Sequence, residues 1–177
     1  MFDRRLAAAA ASFAWLACAA AQEGPGLGVP ATPEQVAGWD VSIGPDGAGL
    51  PPGSGTAAAG KTVYEAKCVA CHGVDGAGQP NDRLVGGQGT LKEAAPIRTI
   101  GSYWPYATTV FDYVRRAMPY VTPHSLTPDE TYALTAYLLA LNGVIEQNAV
   151  MDATTLPKVV MPNRANFDSA YREPRRR

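Results

Sequence analysis

The sequence predicts an all-α domain flanked by extended N- and C-terminal arms. Three observations carry this expectation. Three segments repeat apolar residues at helical spacing with start or stop signals, no region is strand-rich, and Gly- and Pro-containing stretches lie on either side. The 177 residues suit one compact domain with extensions, and a formal net charge of -1 lacks the basic excess of a nucleic-acid-binding protein. The strongest charge run, Arg172 with Arg175, Arg176 and Arg177, reads as a solvated tail.

Residues 1–21 read as a signal peptide. Arg4 and Arg5 precede an almost wholly apolar run from Leu6 to Ala17, and Ala19-Ala20-Ala21 forms a small-residue cleavage site before Gln22. That run is too short to span a bilayer, so the mature chain is expected in the periplasm without a transmembrane segment. Cys18 raises a lipoprotein alternative, but Trp15 stands where a lipobox usually has Leu. Cleavage after Ala21 leaves Cys68 and Cys71 as the cysteines of the mature chain.

Residues 22–55 form the first arm, with turn signals at Gly44-Pro45-Asp46-Gly47 and Leu50-Pro51-Pro52-Gly53. Within it Trp39, Val41 and Ile43 alternate as a short extended stretch would. The helical domain covers residues 56–143. Its first helix is expected from about Thr56, a possible N-cap, to Cys71. The second runs from about Pro105 to Met118, with Val110, Phe111, Val114, Ala117 and Met118 on one face and Pro119 as its stop. The third opens on Thr127-Pro128-Asp129-Glu130, a capping box with proline at the first helical position, and ends at Asn142-Gly143. Residues 144–177 read as an irregular second arm, in which Pro157 and Pro162 oppose regular structure.

The chemistry lies in Cys68-Val69-Ala70-Cys71-His72. CxxCH is the spacing of c-type haem attachment: two thiols a helical turn apart form thioethers with the haem vinyl groups, and the adjacent His72 reaches the iron. A redox dithiol and half of a zinc site are the competing readings. Zinc needs four ligands, and the mature chain has no second cysteine pair. A thioredoxin-like motif follows a strand, whereas a helix is expected here. The chain is therefore expected to carry one covalently attached haem c. The second iron ligand is expected from Met118, with Met161, Met151 and His124 as alternatives. Arg98, Tyr103 and Trp104 cluster before the second helix. They offer guanidinium, hydroxyl and indole donors, so one or more are expected on the haem propionates.

These residues resemble class I cytochromes c: Gly60 and Tyr64 before the CVACH, the Ala117-Met118-Pro119 ahead of the last helix, and Tyr137 within it. In that family the first and last helices cross near such a glycine and aromatic residues. Segments such as GWDVSIGPDGAGLPPGSGT, TIGSYWPYATTVFDYVRRAMPY and LPKVVMPN also resemble the cytochrome subunits of sulfane dehydrogenases in the periplasmic sulfur-oxidising (Sox) system. That resemblance implies a molybdenum-containing, SoxC-like catalytic partner that oxidises reduced sulfur, and a downstream electron acceptor. The chain would then be an electron-transfer subunit, with a sulfite dehydrogenase cytochrome or a generic haem c carrier as alternatives. A peroxidase or gas sensor would need an open sixth position on the iron. Two features depart from the pattern. Some relatives carry a second haem domain, whereas this chain has one CxxCH. The loop proline whose carbonyl often accepts from the axial histidine is, by register, Asp82, with Pro80 two residues earlier, which leaves the acceptor for His72 open.

Overall fold

The computed structural model describes residues 27–167. The expected signal segment, Cys18 and the arginines from Arg172 onward lie outside the described residues. The chain divides into two compact units between Asp40 and Val41. In the first, helix α1 spans Pro33–Trp39. Thr32 caps it, the Gln35 side chain accepts from the Thr32 N–H at 2.8 Å, and Pro33 fills the first turn. This corrects the extended reading of Trp39: the capping box turns the segment helical, and Trp39 stands 89% exposed.

The second unit contains strand β1 (Ser54–Thr56), helices α2 (Ala57–Lys67), α3 (Val69–His72), α4 (Ala107–Ala117) and α5 (Pro128–Leu141), and strand β2 (Val150–Asp152). Short 3-10 turns lie at Val74–Gly76, Thr90–Lys92, Leu156–Lys158 and Arg164–Asn166. Thr56 caps α2, its side chain accepting from the Ala59 N–H. The expected first helix is broken at Cys68, which leaves helical dihedrals (φ -125°, ψ -33°). Its carbonyl accepts from both Cys71 and His72, which tightens the chain into α3. Helix α4 stops at Met118, extended at φ -118° and ψ 150°, because the residue before a proline is driven out of the helical region.

Helix α5 is the centre of the unit. Every residue from Thr131 to Ala140 is buried, so this helix is covered all round. Thr131 and Thr135 sit inside without unmet hydroxyls, because each donates to the carbonyl four residues back, at 2.9 and 2.7 Å. Its start carries the expected capping box: Thr127 accepts from Glu130, and Glu130 accepts from the Thr127 N–H.

Strands β1 and β2 pair antiparallel, Ser54 opposite Asp152 and Thr56 opposite Val150. This small sheet is an addition to the all-helical expectation. It belongs to segments that fold onto the helices: Leu156 and Met161 are fully buried, and Ile43, Leu50 and Val159 pack against the same core. Val160 remains 80% exposed. No helix among the described residues is long and apolar enough to cross a membrane.

Helices α2 and α5 meet at Gly60, where an added Cβ would lie 1.9 Å from the Ala133 carbonyl oxygen. Helix propensity alone would favour alanine there by roughly 0.5–1 kcal/mol. The clash is with backbone and cannot be relieved by a side-chain rotation. Gly60→Ala is therefore expected to destabilise by about 1–3 kcal/mol, the usual cost of overpacking, read as a lower midpoint in denaturant unfolding followed by circular dichroism.

Candidate haem site

Helices α2 and α3 bring Cys68, Cys71 and His72 to one wall of a cleft of about 450 Å³, and the end of α4 brings Met118 and Pro119 to it as well. Apolar residues Ile100, Val110, Val114, Leu126, Leu134 and Leu138 complete its floor and sides. Arg98 and Trp104 line it too. Tyr103 does not. Its N–H donates to the Thr99 carbonyl in a turn held by Thr99 and Ser102, and its ring lies 5.5 Å from the Arg98 guanidinium and edge-on to Phe167. The expected trio is therefore reduced to Arg98 and Trp104 at the cleft, with Tyr103 behind Arg98.

Of the four candidate iron ligands beyond the motif, Met118 alone lines the cleft. Met151 and Met161 are 5% and 1% exposed within the core, where β2 and the chain after the Leu156–Lys158 turn pack. His124 lies in the loop before α5 at φ 62°, exposed to solvent.

The Asp82 carbonyl lies 3.0 Å from His72 Nδ1. A carbonyl only accepts, so Nδ1 carries the proton and Nε2 is left with its lone pair for a metal. The acceptor left open by the sequence is thus a backbone group of Asp82. The loop that carries it is strapped to the motif: Gly78 N–H donates to the His72 carbonyl at 2.8 Å and Asn81 N–H to the Cys71 carbonyl at 2.9 Å.

Burial pushes the Cys68 thiol up to about 11, with the Lys67 ammonium opposing the rise. The partly buried Cys68 thiol and the exposed Cys71 thiol both lie at the cleft. Among the described residues no group of three or more His, Cys, Asp or Glu side chains could hold a metal ion. The donor set does fit a haem. Two thiols stand beside an apolar cleft, an imidazole has Nε2 free, and a thioether from Met118 enters the same space. Lys67, on the cleft rim, pairs with Glu130 at 2.5 Å and holds that carboxyl below its ordinary value. Sequence reasoning passed over Lys67, Asn81, Tyr120 and Val121, which also line the cleft; none carries a recognisable local motif.

The sequence pattern of the cytochrome c family matches residues 57–142. No curated protein matches the chain. A solved structure does: the crystal structure of the sulfane dehydrogenase SoxCD from Paracoccus pantotrophus contains a chain that is 44% identical, with a TM-score of 0.78, and the match covers 81% of this chain and 71% of that one. Identity at that level over most of both chains reaches well past a shared fold. The chain belongs to the class I c-type cytochromes, close to SoxD, and is an electron-transfer protein with one covalently bound haem c.

Proposed function

We propose that this cytochrome is the electron-accepting subunit of a periplasmic, molybdenum-containing dehydrogenase that oxidises sulfane sulfur, and that it passes electrons to a downstream acceptor. One observation carries the reading. The likeness to SoxCD covers 81% of the chain, whereas the cytochrome c pattern stops at residues 57–142, so the resemblance includes the flanking segments as well as the haem domain. A partner from a SoxC-like family, export by residues 1–21 and arms at 22–55 and 144–177 around a 56–143 haem domain all belong to this reading.

Cys68 and Cys71 would hold the haem, and His72 and Met118 would supply its iron ligands. With both ligands in place the iron would have no position for substrate, which favours electron transfer over peroxidase or sensor chemistry. The haem supplies the one-electron redox chemistry; the chain supplies orientation, exclusion of water and the surface for docking. Arg98 and Trp104 are assigned to the propionates, where a guanidinium and an indole N–H are suited to a carboxylate.

Three experiments test the reading. Met118→Ala is expected to keep the covalent haem, lose the methionine–iron charge-transfer band and lower the reduction potential; an unchanged spectrum would remove Met118 from the iron. Affinity purification of the chain from its native periplasm is expected to bring down a stoichiometric molybdenum protein, measured by metal analysis. Deletion of 22–40, which lies within the separate N-terminal unit, should weaken that association while leaving the haem spectrum intact. Recovery of the cytochrome free of molybdenum would overturn the assignment.

A further inference from the structure

Two buried tyrosines from the crossing helices reach the same short turn. Tyr64 of α2, 1% exposed, donates from its hydroxyl to the Gly73 carbonyl at 2.8 Å. Tyr137 of α5, 5% exposed, donates to Asp75 Oδ1 at 2.7 Å. Their rings touch, with centroids 5.4 Å apart. The two acceptors flank Val74, immediately after His72.

That turn has an unusual backbone. Gly73 adopts φ 72° and ψ 173°, a region open essentially to glycine alone, and a Cβ there would lie 2.5 Å from the Gly78 carbonyl oxygen. Asp75 is left-handed at φ 50° and ψ 29°, a region Asp enters more readily than most residues with a side chain. The tyrosine hydroxyls are bonded to both of these residues. The loop then returns through Gly78 and Asn81, bonded to the carbonyls of His72 and Cys71, and ends at the Asp82 carbonyl on His72 Nδ1.

We propose that Tyr64 and Tyr137 are positioning residues for the axial histidine: their hydroxyls fix residues 73–75 on the helix crossing, and through that loop they hold the Asp82 carbonyl against His72 Nδ1. Burial pushes the Tyr64 hydroxyl up to about 12 and raises that of Tyr137 as well, so both remain protonated donors across the working pH range. A hydrogen bond to the outer nitrogen of an axial histidine makes the imidazole a stronger donor, which favours oxidised iron. Loosening the clamp should therefore raise the reduction potential.

The fold contains its own control. Tyr132 is fully buried in the same helix and donates to the Pro51 carbonyl at 2.9 Å, with its ring against Phe111. Its hydroxyl has the same chemistry but no bond to residues 73–82. In the full-length haem protein, Tyr64→Phe and Tyr137→Phe are each expected to change the ratio of oxidised to reduced protein two- to tenfold at fixed ambient potential. That is an upward shift of about 18–59 mV at 59 mV per tenfold for one electron. The NMR resonance of the His72 ring N–H should move with it. Tyr132→Phe should lower the denaturant midpoint comparably and leave potential and resonance unchanged. If neither clamp variant moves them, or Tyr132→Phe moves them equally, the proposal is wrong.

Asp75 is exposed, so its replacement removes no core packing. Asp75→Ala removes the acceptor, whereas Asp75→Asn keeps an oxygen for Tyr137 while losing the charge. The His72 N–H resonance is expected to shift in the alanine variant as in Tyr137→Phe and to return in the asparagine variant. Equal shifts in both would mark a charge effect and overturn the clamp.

Discussion

The close approach of α2 and α5 is the contact on which the other parts of the second unit depend. Gly60 lets the two backbones meet at Ala133, and one turn further along Tyr64 packs against Tyr137. A side chain at position 60 would push α2 off α5. Because α3 and the haem motif continue directly from α2, the same displacement would carry Cys68, Cys71 and His72 away from the apolar wall formed by Leu134 and Leu138 of α5. Interiors packed at crystal-like density do not absorb such a shift.

Helix α5 organises its surroundings through side chains placed in sequence along it. Asp129 accepts from the Ser54 N–H and holds β1; Glu130 pairs with Lys67 beside the haem motif; Tyr132 reaches Pro51; Tyr137 reaches Asp75; and Asn142 bonds Leu84 and Gly86. The ion pair is partly exposed and contributes about 0–1 kcal/mol, so its weight lies in geometry more than in energy. The buried hydrogen bonds matter more, since each would leave a desolvated polar group behind if broken. Among the described residues no buried side-chain polar atom lacks a partner.

The cleft is assembled from pieces far apart in the chain: the motif at 68–72, the loop at 81–84, the segment 98–104 and the end of α4 with the residues after it. Each piece has a local reason for its shape. Pro119 ends α4 so that Met118 is extended, and the Cys68 carbonyl tightens the turn that presents His72. Their convergence is a property of the helix crossing. The apolar side chains of Ile100, Val110, Val114, Leu134 and Leu138 give the cleft the kind of lining that tunes a bound haem.

The covalent haem motif, the capping box at Thr127, and the stop at Pro119 were legible in the sequence because each rests on residues within one or two turns of one another. Those signals located α4 and α5 closely and α2 in outline. Non-local pairing was not legible. Ser54–Thr56 and Val150–Asp152 are too short to show strand periodicity, and they pair only because α5 brings them together. The same holds for Leu156 and Met161, which read as part of an irregular arm and are buried because the helices leave a surface for them. Tyr103 and Trp104 are neighbours in sequence, yet the Thr99–Ser102 turn leaves only Trp104 at the cleft. The sequence by itself determined the chemistry, since thiols, imidazole and spacing are covalent facts. Only the tertiary structure decided that Asp82 meets His72, that Met118 rather than Met151 or Met161 lines the cleft, and that two tyrosines reach the turn after the motif. Those relations depend on where buried helices cross, which no local pattern encodes.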